Sequence, residues 1–164
     1  GRGGIQLSTM IRLASETDIY SVEGALSMSL KRDFDSFRDK TILSFEPDKL
    51  QRLEYKYPGD SSFTLSRTDG GWVLNRDTVD VGKVVNFLNE IKETKANGFA
   101  PKNTQQGADE FQLTATIDGS APIIVKAYKS GEKYVFVSTT NEDPLNDSDS
   151  VFKKLFVSAK KFSK

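Results

Sequence analysis

The stretch that decides the fold runs Leu50-Gln51-Arg52-Leu53-Glu54-Tyr55-Lys56-Tyr57-Pro58-Gly59-Asp60-Ser61-Ser62-Phe63-Thr64-Leu65-Ser66-Arg67-Thr68-Asp69-Gly70-Gly71-Trp72-Val73-Leu74. Leu53, Tyr55 and Tyr57 alternate with Arg52, Glu54 and Lys56, and a period of two puts the apolar set on one side of an extended strand. Pro58-Gly59-Asp60 turns the chain, because proline presets φ and glycine leaves it free. Phe63 and Leu65 resume the alternation, Asp69-Gly70-Gly71 turns it again, and Trp72 with Leu74 makes a short third strand. Asp80 then offers a side-chain oxygen to the unpaired amides of a helix start. Val81, Val84, Val85, Leu88 and Ile91 recur at helical spacing, and Asn97-Gly98 supplies the expected stop. The predicted unit is strand–turn–strand–turn–strand–helix.

Outward from that stretch the same order returns about sixty residues later. Phe111, Leu113, Ala115 and Ile117 alternate, and Asp118-Gly119-Ser120 turns. Ile123, Val125 and Ala127 form the next strand, with Ile124 and Tyr128 on its other face. Ser130-Gly131-Glu132 leads into Tyr134 and Phe136, with Val135 and Val137 expected outside. Asp147 or Ser148 is placed to cap a helix carrying Val151, Phe152, Leu155, Phe156 and Ala159. On the N-terminal side, Met10–Ala14 and Asp18–Val22 read as two strands around Glu16-Thr17. Leu26, Leu30, Phe34 and Phe37 then lie three or four apart on one helical face. A leading strand is missing there, so the first unit is expected to be cut open upstream.

The expected fold class is therefore α+β: repeated antiparallel β-meanders of two to three strands, each followed by a helix packed on the sheet, with no parallel doubly wound sheet. The expected division is a partial first repeat over 1–45, a second over 46–100 and a third over 101–164. Together these form one compact domain or two closely packed subdomains. Ala100–Asp109 is the best candidate hinge, and Asn141–Asp149 reads as a second polar loop.

Composition narrows the chemistry. The 164 residues include no cysteine and no histidine, which excludes disulfides, thiolate nucleophiles and every histidine-dependent triad. Lys plus Arg and Asp plus Glu both total 23, so no net field favours nucleic acid or an anionic membrane. The apolar runs are far shorter than a membrane span. Gly1-Arg2-Gly3-Gly4 reads as a flexible entry, and an anchor is expected upstream of it.

Several clusters bear on function. Asp143, Asp147 and Asp149 lack the spacing of a calcium loop and read as helix capping plus a solvated loop. Lys31, Arg32, Asp33, Asp35, Arg38, Asp39 and Lys40 read as a solvent face laced with ion pairs rather than a docking face. Lys153, Lys154, Lys160, Lys161 and Lys164 suit the negative end of a helix. Tyr55, Tyr57, Phe63 and Trp72 offer an aromatic platform for sugars or bases, but their spacing suits a sheet core better. Accordingly no catalytic, cofactor-binding or metal-ligating residue is assigned, no cofactor is expected, and the chain is not expected to be an enzyme.

Ile11-Arg12-Leu13-Ala14 and Ile19-Tyr20-Ser21-Val22-Glu23-Gly24-Ala25-Leu26-Ser27-Met28-Ser29-Leu30 resemble the bacterial family called domain of unknown function 4340. So do Phe34-Asp35-Ser36-Phe37-Arg38-Asp39-Lys40-Thr41, Asp69-Gly70-Gly71-Trp72 and Leu155-Phe156-Val157-Ser158-Ala159-Lys160-Lys161-Phe162. The resemblance implies a membrane-anchored protein with an extracytoplasmic domain on the periplasmic side of the inner membrane, near ABC-type transport or gliding systems. It brings no active-site residues. The expectation is a non-catalytic interaction or scaffold domain with protein partners in a membrane complex and none of nucleic acid. The alternative is a small-ligand or glycan-binding module using a cleft between repeats.

Overall fold

The computed structural model describes residues 8–12, 17–23, 34–102, 104 and 110–163. The chain divides into two units, residues 1–38 and 39–164.

In the first unit β1 (Ser8–Ile11) pairs antiparallel with β2 (Tyr20–Glu23), with Ile11 opposite Tyr20 and Ser8 opposite Glu23. The two expected strands are present, shifted outward from their turn. Phe34–Ser36 forms a 3-10 turn, and Arg38 pairs with Asp35 at 2.7 Å. Leu26 and Leu30 of the expected helical face lie outside the described residues, as do Lys31, Arg32 and Asp33; Phe37 is exposed.

The second unit begins with β3 (Thr41–Ser44), β4 (Leu50–Lys56), β5 (Phe63–Thr68), β6 (Gly71–Leu74), β7 (Asp77–Thr78) and α1 (Val81–Ile91). It continues with β8 (Glu93–Lys95), β9 (Gly98–Phe99), β10 (Glu110–Ile117), β11 (Ile123–Ser130), β12 (Lys133–Ser138), β13 (Leu145–Asp147) and α2 (Asp149–Leu155). A 3-10 turn over Ala159–Phe162 comes last. One nine-stranded sheet has the order β7-β6-β5-β4-β10-β11-β12-β13-β9, and β3 pairs with β8 separately. Among the described residues every pairing is antiparallel. The class is α+β with a mostly antiparallel sheet.

Alternation builds the core. Leu53 faces Leu65 on one side and Ala115 on the other, while Tyr55 faces Phe63 and Leu113. Leu53, Tyr55, Leu65, Leu113 and Ala115 are all fully buried, and each large apolar side chain removed from water contributes roughly 1.5–3 kcal/mol. The row continues through Val125, Ala127, Phe136 and Leu145 on β11 to β13. Trp72 is 6% exposed and belongs to this core. β3 is tied to the sheet by Ser138, whose Oγ donates to the Ile42 carbonyl at 2.6 Å.

Four local expectations are corrected. The stripe of α1 that packs is Val84, Phe87, Leu88 and Ile91, whereas Val81 and Val85 face solvent. The helix stops at Ile91, well before Asn97-Gly98. Thr94 Oγ1 donates to the Ile91 carbonyl at 3.1 Å, and Glu93–Lys95 leaves to pair with β3. A long-range strand partner thus overrides continued helical periodicity. The Asn141–Asp149 loop contains β13, with Leu145 and Asp147 buried. Val135, expected outside, is buried opposite Tyr128 as a cross-strand neighbour. Asp80 does cap α1, accepting from the Lys83 amide at 3.1 Å.

Candidate functional site

A concavity of the second unit lies where β4, β5 and β10 run out beneath α2 and the segment after it. Tyr57 follows the last residue of β4, Phe63 opens β5, and Phe111 lies near the start of β10. Phe152 comes from α2 and Phe156 from its C-terminal cap. Together with Val157, Ser158, Ala159 and Lys160 they line a cleft of about 490 Å³. Asp60, Ser61, Ser62 and Asn75 complete the rim.

The floor is an aromatic lattice held in edge-to-face and stacked geometries. Tyr57 meets Phe111 edge-on at 5.7 Å, and Phe111 meets Phe152 edge-on at 4.9 Å. Phe152 stacks on Tyr134 at 3.8 Å with an 8° interplanar angle, and on Phe156 at 5.1 Å. Such contacts lock rotamers and contribute beyond area burial. Tyr57, Phe111 and Phe152 are only half-buried, so the lattice presents apolar surface to the cleft.

Polar groups fix the frame. The Tyr57 hydroxyl donates to the Val157 carbonyl at 2.7 Å, pinning the C-terminal segment over the strand ends. Burial pushes the Tyr57 phenol well up, so at neutral pH it is a donor with its proton in place. Ser62 Oγ accepts from the Tyr57 amide at 3.1 Å, and Asn75 Oδ1 accepts from the Thr64 amide at 2.9 Å. Asn75 sits at φ 57°, a left-handed conformation that asparagine tolerates better than most residues. Asn75 and Ser61 place amide and hydroxyl groups at the rim. This arrangement can stack a flat or C–H-rich ligand against rings and hydrogen-bond its polar edge.

The clusters read from the sequence go to separate partners. Asp143 pairs with Lys102 at 3.2 Å, and Asp149 pairs with Lys153. Asp147 accepts from the Asn97 amide at 2.6 Å, the Asn97 side chain at 3.1 Å and the Ser148 amide at 2.5 Å. Ser148 occupies the cap position of α2 without a side-chain cap bond. Among the described residues no three Asp or Glu side chains converge on a cation. Lys161 pairs with Glu90 at 3.4 Å and lies 4.7 Å from the Phe87 ring centre; Lys164 lies outside the described residues. Of the aromatic platform, Tyr55 and Trp72 are core, Phe63 is buried but contributes to the cleft lining, and Tyr57 reaches the cleft half-buried. Phe111, Phe152 and Phe156, which have the spacing of core residues, line the cleft as well. The signal of Tyr57 and Phe111 is positional: they are aromatics at strand ends, where the sheet runs out of cover.

Fold and site define a mostly antiparallel α+β domain with an aromatic-lined cleft at one end of its sheet. Among the described residues no helix is long and apolar enough to cross a membrane. The family model described as Domain of unknown function (DUF4340) matches residues 3–115, and the chain belongs to that family. Tyr57, Phe63 and Phe111 fall inside the matched span, while Phe152, Phe156 and Lys160 lie beyond it. Comparison with curated proteins and with solved structures returns no match.

Proposed function

We propose that this chain is a non-catalytic binding domain of a membrane-anchored, extracytoplasmic bacterial protein, and that the aromatic cleft is where it holds a small ligand. The cleft carries the reading: about 490 Å³ falls within the range of small-molecule sites, and an apolar lining with a few polar groups at its rim is their usual composition. The ring faces of Tyr57, Phe111 and Phe152 suit a saccharide C–H face or a planar apolar group, with Ser61, Asn75 and Asp60 on its polar edge.

The two meanders, β4 to β7 followed by α1 and β10 to β13 followed by α2, are proposed as copies of one unit. Their matching element order, with β4 pairing β10 antiparallel at the middle of the sheet, supports this. Extracytoplasmic placement, the anchor and a position beside an ABC-type transport or gliding system rest on the family resemblance.

The test is a panel of neutral oligosaccharides and small aromatic compounds followed by ¹H–¹⁵N NMR. Saturable shifts concentrated at Tyr57, Ser61, Asn75, Phe111 and Phe152, weakened at least tenfold in Phe152→Ala, are expected. No saturable shift across the panel, or shifts away from the cleft, refutes the ligand-binding reading. Crosslinking of the full-length protein in membranes tests its placement: recovery without any membrane component refutes the transport association.

A further inference from the structure

One wall of the aromatic cleft, formed by Val157, Ser158, Ala159 and Lys160, belongs to a segment that joins no sheet. Phe156, Ser158 and Ser163 have extended backbone, and Ala159–Phe162 between them is a 3-10 turn. The Lys161 amide donates to the Ser158 carbonyl at 3.0 Å and the Ser163 amide to the Lys160 carbonyl at 3.3 Å. The Lys160 amide donates to Ser158 Oγ at 3.3 Å. All three bonds stay inside the segment, so it can move without unravelling.

Its two ends are held differently. At the near end the Tyr57 hydroxyl donates to the Val157 carbonyl at 2.7 Å. At the far end, among the described residues, one main-chain bond ties it to the rest of the unit: the Asp80 amide donates to the Phe162 carbonyl at 3.1 Å. Phe162 is fully buried, edge-on to Phe87 at 5.2 Å and 6.1 Å from Phe63. Lys161 pairs with Glu90 at 3.4 Å, and Lys83 Nζ donates to the Ser163 carbonyl at 2.7 Å. Both lysines are exposed, and contacts of exposed charges contribute little. The far end therefore rests on one phenylalanine and one amide, whereas lifting any long strand of the sheet would break a whole ladder. Phe63 touches Phe162 and also lines the cleft, so the two features share a wall.

We infer that residues 158–163 are a strap that gates the aromatic cleft, hinged at Val157, where Tyr57 holds it, and latched on α1 through Phe162. Release of Phe162 swings Ser158, Ala159 and Lys160 off the cleft in a local opening far smaller than unfolding of the sheet. A ligand that touches those residues holds the strap shut, and a shut strap retains the ligand. The gating role rests on the ligand-binding reading, but hydrogen exchange of the free protein probes the strap with no ligand present, so the two fail separately.

The Asp80 amide reports the latch in ¹H–¹⁵N exchange spectra. Corrected for intrinsic rates, it should exchange roughly tenfold or more faster than the amides of β10 and β11. Its rate should barely respond to urea, while theirs rises steeply. Phe162→Leu should speed Asp80 exchange by roughly fivefold to tenfold. Tyr57→Phe should speed the β10 and β11 amides about fivefold and leave Asp80 unchanged, because the Val157 bond survives in the open strap. Asp80 exchange that follows the sheet amides in urea, ignores Phe162→Leu, or accelerates in Tyr57→Phe overturns the inference. Should Phe162→Leu fail to fold, the urea response of the unmodified chain decides.

Discussion

Replacing Tyr55 with phenylalanine should stabilise the second unit. Tyr55 is fully buried, and its hydroxyl has no hydrogen-bond partner among the described residues. The ring itself is well used, stacking on Phe63 at 4.5 Å and meeting Phe156 edge-on at 6.4 Å. Phenylalanine keeps those contacts and removes only the oxygen. A hydroxyl buried without a partner costs about 1–3 kcal/mol. The space one oxygen leaves takes back a few tenths of a kcal/mol, at ~24 cal/mol per Å³. The expected net gain is about 1–2 kcal/mol, or a rise in Tm of roughly 3–6 °C for a chain of this size. Urea unfolding followed by Trp72 emission should show a higher midpoint at an unchanged slope. Tyr57→Phe supplies the contrast in sign: its hydroxyl donates to Val157, so that change should cost about 1 kcal/mol. A lower midpoint for Tyr55→Phe would refute the reasoning, because the hydroxyl would then be paired.

Three further outcomes rest on polar contacts. Asp147→Ala strips a buried carboxylate from Asn97 and Ser148 and should cost about 3 kcal/mol in a thermal or urea melt; a loss below about 0.5 kcal/mol would show the junction to be slack. Burial raises the Tyr55 and Tyr57 phenols, and burial with the Glu110 bond raises Tyr128 to about 12. Folding therefore favours their neutral forms: the stabilisation is complete below the ordinary tyrosine value of about 10 and is lost as pH rises through the folded values. Urea midpoints should fall above about pH 10, less steeply in Tyr55→Phe. The Glu110 carboxyl is held low by hydrogen bonds from Tyr128, at 2.6 Å, and Lys126. Its contribution is present above about pH 4.3 and fades as pH falls through the folded value. A ¹³C carboxyl titration should place Glu110 below the ordinary value and show it rising in Tyr128→Phe.

What the sequence made legible was local. Leu53, Tyr55, Phe63, Leu65, Leu113 and Val125 announce their strands through alternation, and Asp69-Gly70-Gly71 and Asp118-Gly119-Ser120 announce the turns between them. The strands without such a signal, β3, β7, β8, β9 and β13, are two to four residues long. So few residues carry no period, and most of their partners lie far along the chain. The β8 strand is the instructive case: Glu93-Thr94-Lys95 looks like the tail of a helix until β3 is known to lie alongside it. In α1, valines at 81 and 85 suggest one stripe, but Phe87 at the i+3 position from Val84 moves the buried face round. The aromatic cleft is hidden for a related reason. Tyr57, Phe111 and Phe152 have the composition of a core, and only the end of the sheet leaves them partly open.

The pairing of β4 with β10 gives the molecule an inbuilt line of cleavage. Lys56 lies opposite Gln112, and Arg52 opposite Thr116, so this ladder joins residues more than fifty positions apart and is the direct strand contact between the two meanders. Behind it Tyr55 meets Leu113 and Leu53 meets Ala115, a dry seam that either half alone would leave bare. Fragments separated in the stretch between β9 and β10 would each carry a sticky, hydrogen-bond-ready margin shaped for the other. The domain is in this sense a natural split protein, and the matched span ending at residue 115 stops inside its closing strand. A gene fragment trimmed to that boundary would therefore yield a chain still in search of its second half.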